Sequence, residues 1–219
     1  MNNRNYQKEL DKILLELNGQ DRKKLFLHSC CAPCSSYVLE YLSSFFEITV
    51  FYYNPNITAF EEYFKRVEEQ KRLINLLNKQ EGHFPIQILE GDYQPEIFLR
   101  MATGLEECKE GGERCFACYK LRLQETARRA KEAGADFFAT TLTISPLKNA
   151  EKLNSLGEEL AIEYEILWLP SDFKKREGYK RSIELSEKYG LYRQDYCGCA
   201  FSKAERERQK CQIYSERTE

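Results

Sequence analysis

Five short apolar runs constrain this chain most: KLFLH (24–28), EITVFYY (47–53), FPIQILE (84–90), DFFATT (136–141) and YEILWL (164–169). Each has the length of a strand, and the stretches between them place apolar side chains at helical spacing. Those stretches include CSSYVLEYLSSFF, TAFEEYFKRVEEQKRLINLLNK, CFACYKLRLQETARRAKEAG and KNAEKLNSLGEELAIEY. Parallel strands cannot be joined by a hairpin, so each pair needs a crossover, and alternation of this kind predicts a parallel sheet covered by helices on both faces. The expected fold is α/β, a three-layer α/β/α open parallel sheet of about five strands. NYQKELDKILLELN (5–18), ending near Gly19, adds an amphipathic helix ahead of the sheet. After Trp168 the alternation stops. The segments SDFKKREGYKRS and YRQDYCGCAFS are polar, basic and aromatic, and are expected to lie as a helical and loop region over the carboxyl edge of the sheet, where such folds bind their ligands.

A chain of 219 residues that is 42% hydrophobic can bury a full core. Residues 1–219 are expected to form one domain, with 1–22 as an N-terminal helix extension and 204–219 as a charged tail. The first twenty residues lack the apolar centre of a signal peptide, and no run reaches the roughly 18 apolar residues of a membrane span. The expected location is cytoplasmic. At a net charge of −2 the overall field attracts no polyanion, so a nucleic-acid partner would need a local basic patch.

In a reducing compartment nine cysteines point to metal binding or redox chemistry rather than structural disulfides. Three of them, Cys30, Cys31 and Cys34, lie in HSCCAPCSS, directly after the first strand. A nucleotide-binding turn at this place would be rich in glycine so that backbone N–H groups could approach phosphate; thiols, alanine and proline fill it instead. A helix start also favours thiolates, because its dipole lowers thiol pKa. Cys115 and Cys118 follow Gly111 and Gly112 and share one face of a helix start. Paired thiols from two places in one sheet can hold zinc or an iron–sulfur cluster. Spacing leaves open whether Cys30/Cys31 or Cys31/Cys34 partners Cys115/Cys118. Cys197-Gly198-Cys199 is too tight for tetrahedral zinc, whereas a small strained disulfide ring there would be labile and redox-active. Cys108 and Cys211 have no second signal, and neither His28 nor His83 is assigned a metal.

Lys174, Lys175, Arg176, Lys180 and Arg181 are interleaved with Phe173 and Tyr179, and Tyr192, Arg193 and Tyr196 follow. Cations beside aromatic faces suit phosphate contact and base stacking, though a solvated helix face accounts for the charges equally well. TTLTISPLKN (140–149) supplies hydroxyls and Lys148 for a polar pocket at the same edge, or else a helix entry capped by Ser145.

LHSCCAPCS, EGGERCFACYKLRLQETA, TTLTISPLKN and DFKKREGYKRSIELSEKYGLYRQDYCGCAFS, in this order, resemble the QueH family of cobalamin-independent epoxyqueuosine reductases, from about residue 24 to about 203. The resemblance implies a fold of the adenine-nucleotide α-hydrolase/PP-loop class and one catalytic domain. It implies reduction of the epoxide of epoxyqueuosine at the tRNA wobble position to queuosine, the last step of queuosine biosynthesis. By motif, Cys30, Cys31, Cys115 and Cys118 would ligate a [4Fe–4S] cluster, and Cys197 and Cys199 would be the catalytic redox pair. An additional iron ion is implied nearby, with Cys34, an Asp in some relatives, as the candidate ligand. The partners implied are tRNA carrying epoxyqueuosine and an electron donor. The proton donor stays open among Tyr192, Tyr196, Asp195 and a thiol. Two other functions fit parts of the pattern. One is a zinc-stabilised RNA-binding module using Cys31/Cys34 and Cys115/Cys118. The other is an ATP-dependent sulfur-transferring tRNA enzyme, which the missing glycine-rich loop opposes.

Overall fold

A computed structural model describes residues 4–17, 22–81 and 84–216. Gly19 and His83 lie outside them. In chain order the elements are α1 (Tyr6–Leu17), β1 (Lys23–His28), α2 (Ala32–Leu42), β2 (Phe46–Tyr52), α3 (Phe60–Leu77), β3 (Gln87–Glu90), α4 (Pro95–Ala102), α5 (Glu113–Glu132), β4 (Phe137–Thr140), α6 (Ala150–Glu163), β5 (Leu167–Trp168), α7 (Gly178–Lys188) and α8 (Ala200–Glu216). The five strands form one sheet in the order β3-β2-β1-β4-β5. Every pairing is parallel, as the alternation required.

Period-two alternation divides the strands between two cores. Leu25, Leu27, Ile48, Val50, Phe137 and Ala139 face one side and pack with Leu10 and Leu14 of α1, Val38 and Leu39 of α2, and Leu73 and Ile74 of α3. Phe26, Phe51 and Phe138 face the other and pack with Tyr119, Leu123 and Ala127 of α5 and Leu153, Leu156 and Leu160 of α6. The helix expected as an extension is thus part of the first core: Leu10 is fully buried. The expected 204–219 tail begins inside α8, which continues the helix from Ala200. No helix among the described residues is long and apolar enough to cross a membrane.

The strand order reverses between β1 and β4, and there the crossovers leave for opposite faces and open a crevice at the carboxyl ends. The chain turns from β1 into α2 at Ser29–Cys31, and from β4 into a 3-10 turn over Thr141–Ile144. At this junction His28 is fully buried, with Nδ1 2.8 Å from Thr140 Oγ1 and Nε2 3.1 Å from the Tyr53 carbonyl. Burial, aided by the charge of Arg122, lowers its pKa from 6.5 to about 3. The unfolded chain therefore takes up a proton near pH 6.5 that the folded chain refuses until about pH 3. His28 supports full stability above pH 6.5, and as pH falls toward 3 that support is lost at about 1.4 kcal/mol per pH unit. Urea unfolding of wild type and His28→Gln from pH 7 down to about pH 4 checks this. The wild type is expected to lose stability more steeply, and parallel losses would exclude His28 as the acid-sensitive group.

Candidate active site

The sheet's carboxyl edge carries a cleft of about 550 Å³, walled by Cys30, Cys31 and Cys34 on one side and by Tyr196 and Cys197 on another, with Arg66, Arg122 and Lys148 among its cations. That is the size of a small-ligand site.

Local chain geometry sets the first thiol group. Cys31 is the N-cap of α2 with extended backbone and no side-chain cap bond, and Pro33 follows in the first turn, where a missing N–H costs nothing. The three Sγ atoms of Cys30, Cys31 and Cys34 all lie within 4.8 Å of one another. Among the described residues no other His, Cys, Asp or Glu side chains gather three donor atoms this closely. Thr141, from TTLTISPLKN, holds the group from across the switch point. Its Oγ1 accepts from the Cys30 N–H at 3.3 Å and donates to Cys30 Sγ at 3.6 Å. Hydrogen bonds from Cys30 and Cys34, with the charge of Arg66, hold the Cys31 thiol well below its ordinary pKa, while the contact with Cys31 pushes Cys30 up and the contacts with Cys30 and Cys31 push Cys34 up.

Cys115 and Cys118 occupy the first turns of α5. Gly111 N–H donates to Cys115 Sγ at 3.2 Å, and burial pushes the Cys118 thiol up to about 11. They do not join the first group. They line a smaller cavity beside the cleft together with Cys199, and the two spaces share Glu110, Arg122, Lys148, Cys197 and Ser202. Arg122 is buried, bonds to Asn54 Oδ1 at 3.3 Å and to the Cys118 carbonyl at 3.4 Å, and has one Nη without a partner. Its guanidinium is in electrostatic reach of Cys30, Cys118 and Cys197 together. Thiols from α2, α5 and the turn before α8 thus surround fixed positive charge that offsets the charge of thiolates, an environment fit for a thiolate-bound metal centre.

Cys197 and Cys199 both lie just before α8, as thiols. Cys197 lies in the cleft wall, whereas Cys199 packs with Phe98 and Cys118. Burial, and then the charge of Cys197, pushes the Cys199 thiol up to about 12. Arg66, 2% exposed, ion-paired to Glu62 at 2.6 Å, donates to the carbonyls of Cys197 at 3.2 Å and Tyr196 at 3.5 Å. Gly198 sits between at φ +111, and a Cβ there would meet Ile57 Cγ1 at 2.8 Å and Arg66 Nη1 at 3.2 Å. Gly198→Ala is therefore expected to cost about 1–3 kcal/mol, read by denaturant unfolding; an unchanged midpoint would mean the turn relaxes freely.

The basic and aromatic run divides between surface ion pairs and the cleft. Lys174 pairs with Asp172, Arg176 with Asp11, Lys180 with Glu177, and Arg181 with Glu40 and Glu184. Phe173 is core. Tyr179, Arg193 and Tyr196 reach the cleft. Tyr192 instead binds Glu62 at 3.1 Å under Lys65, and Asp195, which does line the cleft, pairs with Lys210. Ser145 does not cap α6: Asn149 does, accepting from the Lys152 N–H at 2.9 Å. Lys148 is in the pocket as expected, but Arg66, Glu110 and Arg122 were not foreseen. In sequence they look like any charged residue on an amphipathic helix or loop, and only packing distinguishes them. Cys108 stands in the α4–α5 loop and Cys211 is exposed on α8.

An open parallel α/β sheet whose switch-point cleft is lined by thiols and buried cations defines a thiol-based metal or redox protein on a doubly wound fold. Similarity to known proteins narrows this. Residues 25–205 match the family model described as "Epoxyqueuosine reductase QueH". Proteins of that name from Staphylococcus epidermidis and Streptococcus pyogenes serotype M1 are 44% and 46% identical, the alignments covering 90% and 83% of this chain and 84% and 71% of theirs. The one from Thermotoga maritima is 33% identical over 88% of this chain and 97% of its own. The chain belongs to the QueH family.

Proposed function

We propose that the protein is an epoxyqueuosine reductase, a cytoplasmic oxidoreductase of one catalytic domain that converts epoxyqueuosine at the tRNA wobble position to queuosine. The observation that carries this is the family match across residues 25–205, which spans all three cysteine clusters.

Removing the epoxide oxygen as water takes two electrons and two protons. The dithiol of Cys197 and Cys199 holds both: epoxide plus dithiol balances alkene plus water plus one disulfide. An electron donor then reduces the disulfide for the next turnover. Cys30, Cys31, Cys115 and Cys118 would hold a [4Fe–4S] cluster, with Cys34 toward an additional iron. When bound, such a centre supplies single-electron transfer and a Lewis acid for the C–O bond. The ring faces of Tyr179 and Tyr196 suit stacking of an unstacked anticodon base, and Arg193 and Arg206 at the cleft wall suit its phosphates.

The test is anaerobic incubation of iron-loaded, reduced protein with tRNA carrying epoxyqueuosine, followed by nucleoside analysis. Queuosine is the expected product. Its absence, with zinc in place of iron, would favour a structural RNA-binding module.

A further inference from the structure

Three segments remote in sequence meet behind the Cys197-Gly198-Cys199 turn. Glu110 comes from the loop that leads to Cys115, Lys148 from the loop before α6, and Ser202 from the first turn of α8. Lys148 Nζ donates to Glu110 Oε1 at 3.0 Å, and Ser202 Oγ donates to Glu110 Oε2 at 3.1 Å. That same Ser202 Oγ accepts from the Cys197 N–H at 3.2 Å, while the Ser202 N–H donates to Cys199 Sγ at 3.3 Å. The Lys148 side chain is only 8% exposed.

We propose that Lys148, Glu110 and Ser202 are positioning residues for the Cys197/Cys199 pair and bias it toward the dithiol. The inference rests on the redox role given to that pair above. Its physical basis is differential. Closing the ring, in which two S–H bonds are lost, one S–S bond forms, and two protons and two electrons leave, converts Cys199 Sγ into a poorer acceptor for the Ser202 N–H. Lys148 acts through Glu110: it fixes the carboxylate to which Ser202 Oγ donates, and so the turn that presents the Ser202 N–H to Cys199. The lost hydrogen bond favours the reduced pair, and a pair whose reduced form is stabilised has a higher, more oxidising potential. Burial disfavours charge on both Lys148 and Glu110. Even so, the 3.0 Å ion pair with Glu110 keeps Lys148 protonated, and Glu110 is held ionised chiefly by Lys148. The cation therefore stays in place at working pH. Glu110 also ties the loop leading to Cys115 to the turn carrying Cys197, so one carboxylate links the proposed metal half of the site to the proposed redox half.

The experiment equilibrates the full-length, iron-loaded protein anaerobically in glutathione or dithiothreitol redox buffers, quenches with acid, alkylates, and quantifies the Cys197–Cys199 disulfide in the tryptic peptide spanning 194–203. Lys148→Met, Glu110→Gln and Ser202→Ala are each expected to shift the equilibrium toward disulfide, by about tenfold for Lys148→Met, equivalent to about 30 mV. Lys148→Arg is expected to restore most of the wild-type value. Thermal unfolding run alongside shows that the variants are folded. If Lys148→Met and Ser202→Ala titrate with the wild type, the inference is overturned and the pair keeps its role. If the wild type forms no Cys197–Cys199 disulfide at any potential, the redox role falls and the inference falls with it.

Discussion

Cys197→Ser and Cys199→Ser are each expected to lower queuosine formation by at least about 10³-fold, and the double variant by no more than either single one. Residues that act as a unit fail together. Serine keeps the size and the hydrogen bonds of the side chain but cannot form the disulfide that releases the second electron and proton. Cys199 is buried against Phe98 and Cys118, with its Sγ accepting from Ser202, so the isosteric change leaves the packing intact and the loss reads chemistry. Single-turnover assays of prereduced protein, with bound iron measured in parallel, check this. Either variant retaining more than about a tenth of wild-type turnover, with iron intact, contradicts the two-thiol balance, since a residue in a covalent step is worth far more.

The second large effect concerns metal. Alanine at Cys30, Cys31, Cys115 or Cys118 is expected to remove more than about half of the bound iron, along with the visible absorption of a cluster, whereas Cys108→Ala retains both. Loss of one thiolate opens a coordination position, and the free energy of binding that helps hold the folded site goes with it. Cys34→Ala should cost at most the additional iron. Iron and acid-labile sulfide per chain, measured after anaerobic reconstitution, decide the matter; iron retained in Cys118→Ala but lost in Cys108→Ala would reassign the ligands.

Much of this was legible in the chain because short-range periodicity reports burial directly. Leu25 and Leu27 against Phe26 alternate at period two, and helical stretches between such runs leave parallel pairing as the consistent topology. The cysteine clusters were legible for the same reason, since each is local to one turn or one helix start. α4 was not anticipated: at eight residues, Pro95–Ala102, it is too short for a periodic signal to stand out from a loop.

What no local pattern could specify is which charged side chains leave solvent. Arg66 and Arg122 sit on helices α3 and α5 among other Lys, Arg and Glu residues at similar spacing, yet they are 2% and 1% exposed, while Arg128 and Arg129 on α5 pair with Glu125 at the surface. The strand order had to bring β1 beside β4 before TTLTISPLKN could reach Cys30 through Thr141. The α8 turn had to fold onto the α4–α5 loop before Glu110 could meet Ser202. Residue types and their spacing thus established the sheet, the helices and the supply of thiols, because those depend on neighbours along the chain. The meeting of Arg66, Glu110, Arg122 and Lys148 around those thiols depended on crossovers that join segments tens of residues apart, where burial turns an ordinary surface charge into a fixed part of the site.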